Sequence, residues 1–241
     1  MLRLRHPSVL AAMAGRNDGD FCRRIGSLGV GMVTVGGISV DEKSVEASRK
    51  MVERGRKEFL FENIAAFLEE HILKAQKSGA LVCVNIRSAT LDGYLRASEI
   101  IAGFNGVVEI NAHCRQQEMV AVGAGQYLLE DLNRLKKIIL AIQDIGIHPV
   151  IKFRGNVKSE AEILGRIRAD AVHIDAYREG ERGFDVTVFE KIRDFNCFKI
   201  GNNSVNTPET ALRVLKLCDA FSFAQIAWNE NAVRTLVAGV R

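Results

Sequence analysis

VVEINAHCRQQEMVAVGAGQYLLEDLNRLKKIILAIQDIGIHPVIKF, residues 107–153, holds one full cycle of the pattern that decides the fold. It opens on a short β-branched run, VVEINA (107–112), and closes on another, PVIKF (149–153). Between them Leu128, Leu132, Leu135, Ile139 and Ile142 step by fours and threes. That spacing lays one apolar stripe along a helix, which Gly146 is placed to stop. Short runs that are apolar on both faces read as strands of a parallel sheet covered on both sides.

The alternation continues outward in both directions. VLAAMA (9–14), MVTVGG (32–37) and LVCVNI (81–86) come before it, and AVHIDA (171–176), FKIG (198–201) and AFSFAQI (220–226) come after, making eight runs. Ile64, Phe67, Leu68 and Ile72 mark another amphipathic helix. Ser159 with Glu162 has the S-x-x-E capping pattern, Thr207-Pro208 supplies an N-cap and a proline at the first helical position, and Gly79 and Gly103 sit at helix ends. Eight even strand-then-helix repeats favour a closed α/β fold, a single (β/α)8 TIM barrel over residues 1–241, above an open doubly wound sheet. The length of 241 residues suits such a barrel, which takes roughly 250. Residues 39–61 form a long charged connection after the second run, expected to be an exposed helix or mobile loop.

Composition narrows the function classes. The chain is 47% hydrophobic and 26% charged with three prolines, which excludes disordered, collagenous and proline-rich classes. Thirty-three basic residues against 29 acidic leave +4, which permits nucleic acid without arguing for it. No apolar run is long enough to span a membrane, and the start MLRLRHPSVLAAMAG reads as a first strand rather than a signal peptide. Cys22, Cys83, Cys114, Cys197 and Cys218 are odd in number and widely spaced, as expected of reduced thiols in a cytoplasmic protein.

In a barrel of this kind chemistry collects at the C-terminal ends of the strands. Those ends carry Met13, Gly36-Gly37, Asn85 and Arg87, Asn111-Ala112-His113-Cys114, Lys152 and Arg154, Asp175, Asn202-Asn203 and Gln225. Cys114, flanked by His113 and Arg115, reads as a nucleophile or a proton donor, whereas Cys83, Cys197 and Cys218 read as small buried hydrophobes. Lys152, inside an apolar run, suits Schiff-base chemistry or the holding of an anionic cofactor ring, and Asp175 is a candidate partner for it. His173 and Asp175 share a strand face, but no third ligand stands at metal-like spacing. No GxGxxG follows the first strand and no Walker sequence occurs, which argues against a Rossmann site or a P-loop.

Several strand ends together resemble one family. LAAMAGRNDGDFCR resembles the LAPM-AGVTD opening of the dihydrouridine synthases, FMN-dependent (β/α)8 proteins related to dihydroorotate dehydrogenases. EINAHCRQQEMVAVGAGQYLLED resembles their D-x-N-x-G-C-P stretch, VIKFRG their V-K-x-R strand, and KIGNNSV stands in the place of their N-G strand. The resemblance implies an FMN-dependent oxidoreductase acting on a C=C bond of an unsaturated ring. Under it Cys114 protonates the carbon opposite the one that exchanges hydride with the flavin. Met13, Asn85, Lys152, Asp175, Asn202, Asn203 and Gln225 fall where the family binds cofactor. Asn111, His113 and Arg154 fall on the substrate side.

The chain also departs from the family. Ala12 replaces a proline, His113-Cys114-Arg115 replaces Gly-Cys-Pro, Asp175 replaces a histidine, Asn202-Asn203 replaces Asn-Gly, and Ala224-Gln225 replaces Gly-Arg. The family's C-terminal tRNA-binding domain is expected to be absent, so tRNA is a weak expectation beside a small molecule or a nucleobase; a homo-oligomer is compatible with this reading. Two alternatives stand beside it. One is a flavin-free lyase or aldolase using Lys152 and Asp175, and the other is a non-catalytic barrel subunit.

Overall fold

Val, Ile and Leu cluster in the eight runs, and each forms a strand buried on both faces because helices cover the outside and side chains fill the inside. A computed structural model describes residues 2–180 and 183–240. The strands are β1 (Ser8–Leu10), β2 (Met32–Ser39), β3 (Leu81–Arg87), β4 (Val107–Ala112), β5 (Val150–Arg154), β6 (Ala171–Asp175), β7 (Phe198–Asn202) and β8 (Ala220–Phe223). They are parallel, follow chain order, and close when β8 pairs with β1. The closed barrel is the fold the periodicity predicts.

The helices are α1 (Gly19–Gly26), α2 (Glu42–Glu53), α3 (Ile64–Gln76), α4 (Leu91–Gly103), α5 (Gln117–Ala121), α6 (Leu132–Asp144), α7 (Glu160–Ile167), α8 (Val186–Glu190), α9 (Pro208–Leu215) and α10 (Glu230–Ala238). In α6, Leu132, Leu135, Ile139 and Ile142 are all buried, whereas Leu128 lies in the 3-10 turn that precedes the helix. Thr207 caps α9 ahead of Pro208. Ser159 accepts from Glu162 N, but the acidic side chain that reaches back is Glu160, onto Asn156 N at 2.6 Å. Gly79 and Gly146 take left-handed φ values of 72° and 81° just past α3 and α6, a conformation glycine adopts without strain. Among the described residues no helix is long and apolar enough to cross a membrane.

Two strands stop three or more residues short of their apolar runs. The first ends at Leu10 because residues 13–17 turn back over the mouth, with Met13 O accepting from Arg16 N and Asn17 N. Asn17, fully buried, fastens that turn by donating to Ala11 O at 2.9 Å and Thr34 O at 3.1 Å. The eighth ends at Phe223 and gives way to a 3-10 turn, Gln225–Trp228.

The connection 39–61 holds α2 and then a strap of chain, residues 54–61, that crosses the mouth. Asp41 caps α2, accepting from Ser44 N at 2.8 Å, and its other oxygen accepts from Ala89 N at 2.6 Å and Thr90 N at 3.0 Å. One carboxylate thus ties the end of β2 to the end of β3. Farther on, Phe59 and Phe61 pack against Phe67 of α3 in tilted arrangements with ring centroids 5.6 and 4.7 Å apart. The segment is anchored at both ends.

Candidate active site

The polar residues at the strand ends become one connected system through register. Asn85 on β3 faces Glu109 on β4, Asn111 faces Lys152 on β5, and Lys152 faces His173 on β6. Strand side chains alternate, so Glu109 and Asn111 both point into the barrel. Asn85 Nδ2 donates to Glu109 Oε1 at 2.6 Å, and His173 Nδ1 meets Glu109 Oε2 at 2.6 Å. His173 Nε2 meets Ser222 Oγ at 2.7 Å, and Asn111 Nδ2 donates to Asn85 Oδ1 at 2.8 Å. Asn111 Oδ1 then accepts the backbone N–H groups of His113 at 2.9 Å and Cys114 at 2.8 Å. A continuous chain of hydrogen bonds runs from Ser222 deep in the barrel to the backbone of Cys114.

Electrostatics sets the direction of that chain. Burial opposes ionisation of Glu109, but the Lys152 ammonium, 4.0 Å away, and the hydrogen bonds from His173 and Asn85 outweigh it and bring the carboxyl down to about 2. Burial, aided by Lys152, lowers His173, so it stands as a neutral imidazole. A carboxylate only accepts, which assigns the proton to His173 Nδ1 and leaves Nε2 to accept from the Ser222 hydroxyl.

This corrects the expected partner of Lys152. Its carboxylate is Glu109, whereas Asp175 receives His113 Nε2 at 3.0 Å and lies 3.8 Å from Arg154 Nε. Burial raises Asp175, but the hydrogen bond and charge of His113, followed by Arg154, hold it below the usual carboxylate range. His173 and Asp175 do not share a ligand; each is taken by a different neighbour.

The lip of the mouth is built by Arg87. Its side chain is 2% exposed, and Nη2 contacts Glu58 Oε2 at 2.6 Å and Gly37 O at 3.1 Å, while Nη1 lies 3.7 Å from Cys114 Sγ. Burial disfavours the Arg87 cation, yet Glu58 more than compensates. Glu58 belongs to the charged connection read as exposed, and its side chain is fully buried. That expectation fails at this residue because an opposite charge in the barrel offers it a partner.

A cleft of about 410 Å³ opens here, a size typical of small-molecule sites. Asn85, Asn111, His113, Cys114, Lys152 and Asn202 line it, together with Ala11, Ala12, Ala14, Gly37, Arg87 and Glu58. Asp175 and Arg154 flank it behind His113. Met13, Asn203 and Gln225 do not line it: Met13 sits in the 13–17 turn, Asn203 binds Ser204, and Gln225 is exposed. A larger groove of about 860 Å³ near α1 and α10 is lined by exposed residues such as Arg23 and Arg24 and shares none of the buried groups. Cys114 is half-buried, while Cys22, Cys83, Cys197 and Cys218 are buried, their thiols pushed up chiefly by burial.

Sequence reasoning missed Glu109, Glu58 and the role of Arg87. Period-two alternation with Asn111 was enough to find Glu109. Glu58 leaves no local signal, since nothing in RKEF (56–59) separates a buried carboxylate from a solvated one.

No family model matches the chain. It is 35% identical over 232 residues to the uncharacterized protein MJ0144 of Methanocaldococcus jannaschii, an alignment covering 92% of this chain and 90% of that protein. Among solved structures it resembles TcOYE with pHBA, with a TM-score of 0.69 at 10% identity over 92% of this chain and 85% of that one. It also resembles the old yellow enzyme homologue of Zymomonas mobilis, with a TM-score of 0.61 at 12% identity over 91% and 84% of the two chains. A third likeness is 2-naphthoyl-CoA reductase in complex with 2-naphthoyl-CoA, with a TM-score of 0.68 at 11% identity over 92% of this chain and 48% of that one. At such identities these structural likenesses are of fold.

Proposed function

The chain belongs to the family of the M. jannaschii protein MJ0144, and we propose that it is a flavin-dependent oxidoreductase with FMN in the barrel mouth, acting on a C=C bond of an unsaturated ring. The observation that carries the proposal is Lys152, 4% exposed at the floor of a cleft to whose lining the β1–β2 side contributes the small residues Ala11, Ala12, Ala14 and Gly37. A flat ring fits against such small residues, and a cation beneath it complements a ring that gains negative charge on reduction. A side chain at Gly37 would place its Cβ 2.8 Å from Asn85 Oδ1, so the glycine keeps that floor open. The folds of an old yellow enzyme homologue and a reductase support the same class.

FMN, when bound, supplies the hydride chemistry. Lys152 and Asn85 would hold its pyrimidine edge, and Asn202 would face its chain. Asn111 would meet the substrate while fixing the backbone of His113 and Cys114. Arg87 donates toward Cys114 Sγ, which leaves the thiol's own proton free to point into the cleft. Cys114 would then deliver that proton to the substrate carbon opposite the hydride, as a positioned general acid.

The finer reading is dihydrouridine-synthase-like chemistry on a pyrimidine-like molecule or a nucleobase presented by a partner. It rests on the matched segments at β1, β4, β5 and β7. The test is the absorbance spectrum of the purified protein. Oxidised-flavin bands, or their appearance on adding FMN, are expected; a colourless protein that takes up no FMN would overturn the proposal.

A further inference from the structure

Arg154 ends β5 with a guanidinium that the fold orders but does not satisfy. Its side chain is 12% exposed, and its Cζ stacks 3.8 Å from the centroid of the Tyr177 ring. Its Nε is nevertheless buried with no hydrogen-bond partner. Asp175 Oδ2 lies 3.8 Å from that nitrogen, beyond hydrogen-bond length, and the same oxygen is already engaged by His113 at 3.0 Å. Arg115 lines the cleft next to Cys114, close enough that its charge adds to burial in disfavouring the Arg154 cation. A guanidinium on the cleft wall and a second on its flank behind His113, the latter with a buried idle donor, form an arrangement that an anion would relieve.

We propose that Arg154 and Arg115 form a carboxylate-recognition subsite beside Cys114, so that the molecule acted on in this cleft carries a carboxylate next to its unsaturated ring. The guanidinium fork matches a carboxylate through two parallel hydrogen bonds. A phosphate also fits the fork, but its second negative charge would fall near Asp175, which His113 and Arg154 keep ionised against the effect of burial. A monoanion meets less repulsion there. The ring is an inference from the flavin reading; the subsite itself stands on the geometry of Arg154.

The test is calorimetric titration of the purified chain with benzoate, benzamide and inorganic phosphate, with and without FMN. Benzoate is expected to bind at least tenfold more tightly than either of the others, and Arg154→Met to lose at least that factor. Arg115 is exposed, so Arg115→Gln keeps the fold and should weaken benzoate severalfold even if Arg154→Met proves unstable. Equal binding of benzoate and benzamide, tighter binding of phosphate, or indifference to Arg115→Gln would overturn the subsite. Benzoate binding by a chain that takes up no FMN would uphold the subsite and sink the flavin reading. FMN uptake with no preference for benzoate would do the reverse.

Discussion

Glu58 Oε2 and Arg87 Nη2 stand 2.6 Å apart with their side chains 0% and 2% exposed, so the strap after α2 reaches into the barrel mouth through a buried ion pair. Arg87 passes the contact on to Gly37 O and Cys114 Sγ. Removing one partner of a buried pair leaves the other charge stranded, at a cost of about 3–5 kcal/mol. Glu58→Ala is therefore expected to lower unfolding free energy by that order in urea titrations. The double variant Glu58→Leu with Arg87→Met should recover much of the loss, because apolar replacement of both charges restores packing without an unpaired ion. A loss below 1 kcal/mol in the single variant would show that the pair does not hold the strap.

At Gly15 the strap runs directly over the turn that follows β1. The glycine's φ is +65°, and a Cβ there would lie 2.4 Å from the backbone carbon of Lys57. Gly15→Ala must therefore lift the strap as well as strain its own backbone, the latter by about 1–2 kcal/mol. Limited proteolysis should cut between residues 54 and 61 faster than in the native chain, with turnover falling in parallel. Unchanged cleavage would mean that the strap is held elsewhere.

The acid stability of the chain should fall in two stages. His173 is lowered by burial, so its stabilising contribution is complete above its ordinary value of 6.5 and is lost as pH falls from there. Glu109 is lowered from 4.5 to about 2, and its contribution, on the order of 3 kcal/mol, is complete above 4.5 and lost as pH falls toward 2. Asp41 and Asp175 are lowered too and steepen the second stage. Urea midpoints measured from pH 8 to pH 3 should begin to decline below 6.5 and drop sharply below 4.5. A midpoint that holds constant down to pH 4 would contradict the neutral assignment of His173.

Cys114→Ala should reduce turnover by about 10²–10⁴, the usual worth of a positioned general acid, with flavin binding intact. Asn111→Leu strips the acceptor from the N–H groups of His113 and Cys114. It should lower turnover and also slow alkylation of Cys114 by iodoacetamide as the thiol loses its place. Turnover unchanged in Cys114→Ala would remove Cys114 from the chemistry.

The barrel was legible because its signal is local. Parallel strands covered on both faces show as apolar runs, and helices show as stripes, whatever lies next to them in space. The same logic fails at strand ends, which is why the runs 9–14 and 220–226 overstate β1 and β8: Asn17 pins a turn over the first, and a 3-10 turn replaces the second. The candidate site was legible in part. Asn85, Asn111, His113, Cys114, Lys152 and Asn202 do line one cleft, since every strand of such a barrel delivers its C-terminal end to the same rim.

What the amino-acid order determined alone is the closed barrel and the strand ends that bring Asn85, Asn111, His113, Cys114, Lys152 and Asn202 to its mouth. Which charge meets which was decided only in three dimensions. Lys152 has Glu109, not Asp175, because across the closed barrel Asp175 is taken by His113 and Arg154 while Glu109 lies 4.0 Å from the Lys152 ammonium. Glu58 is buried because the strap crosses the barrel at Gly15 and finds Arg87 beneath it. Periodicity is written in neighbours along the chain, whereas the energy of a charge depends on what surrounds it after the chain has closed.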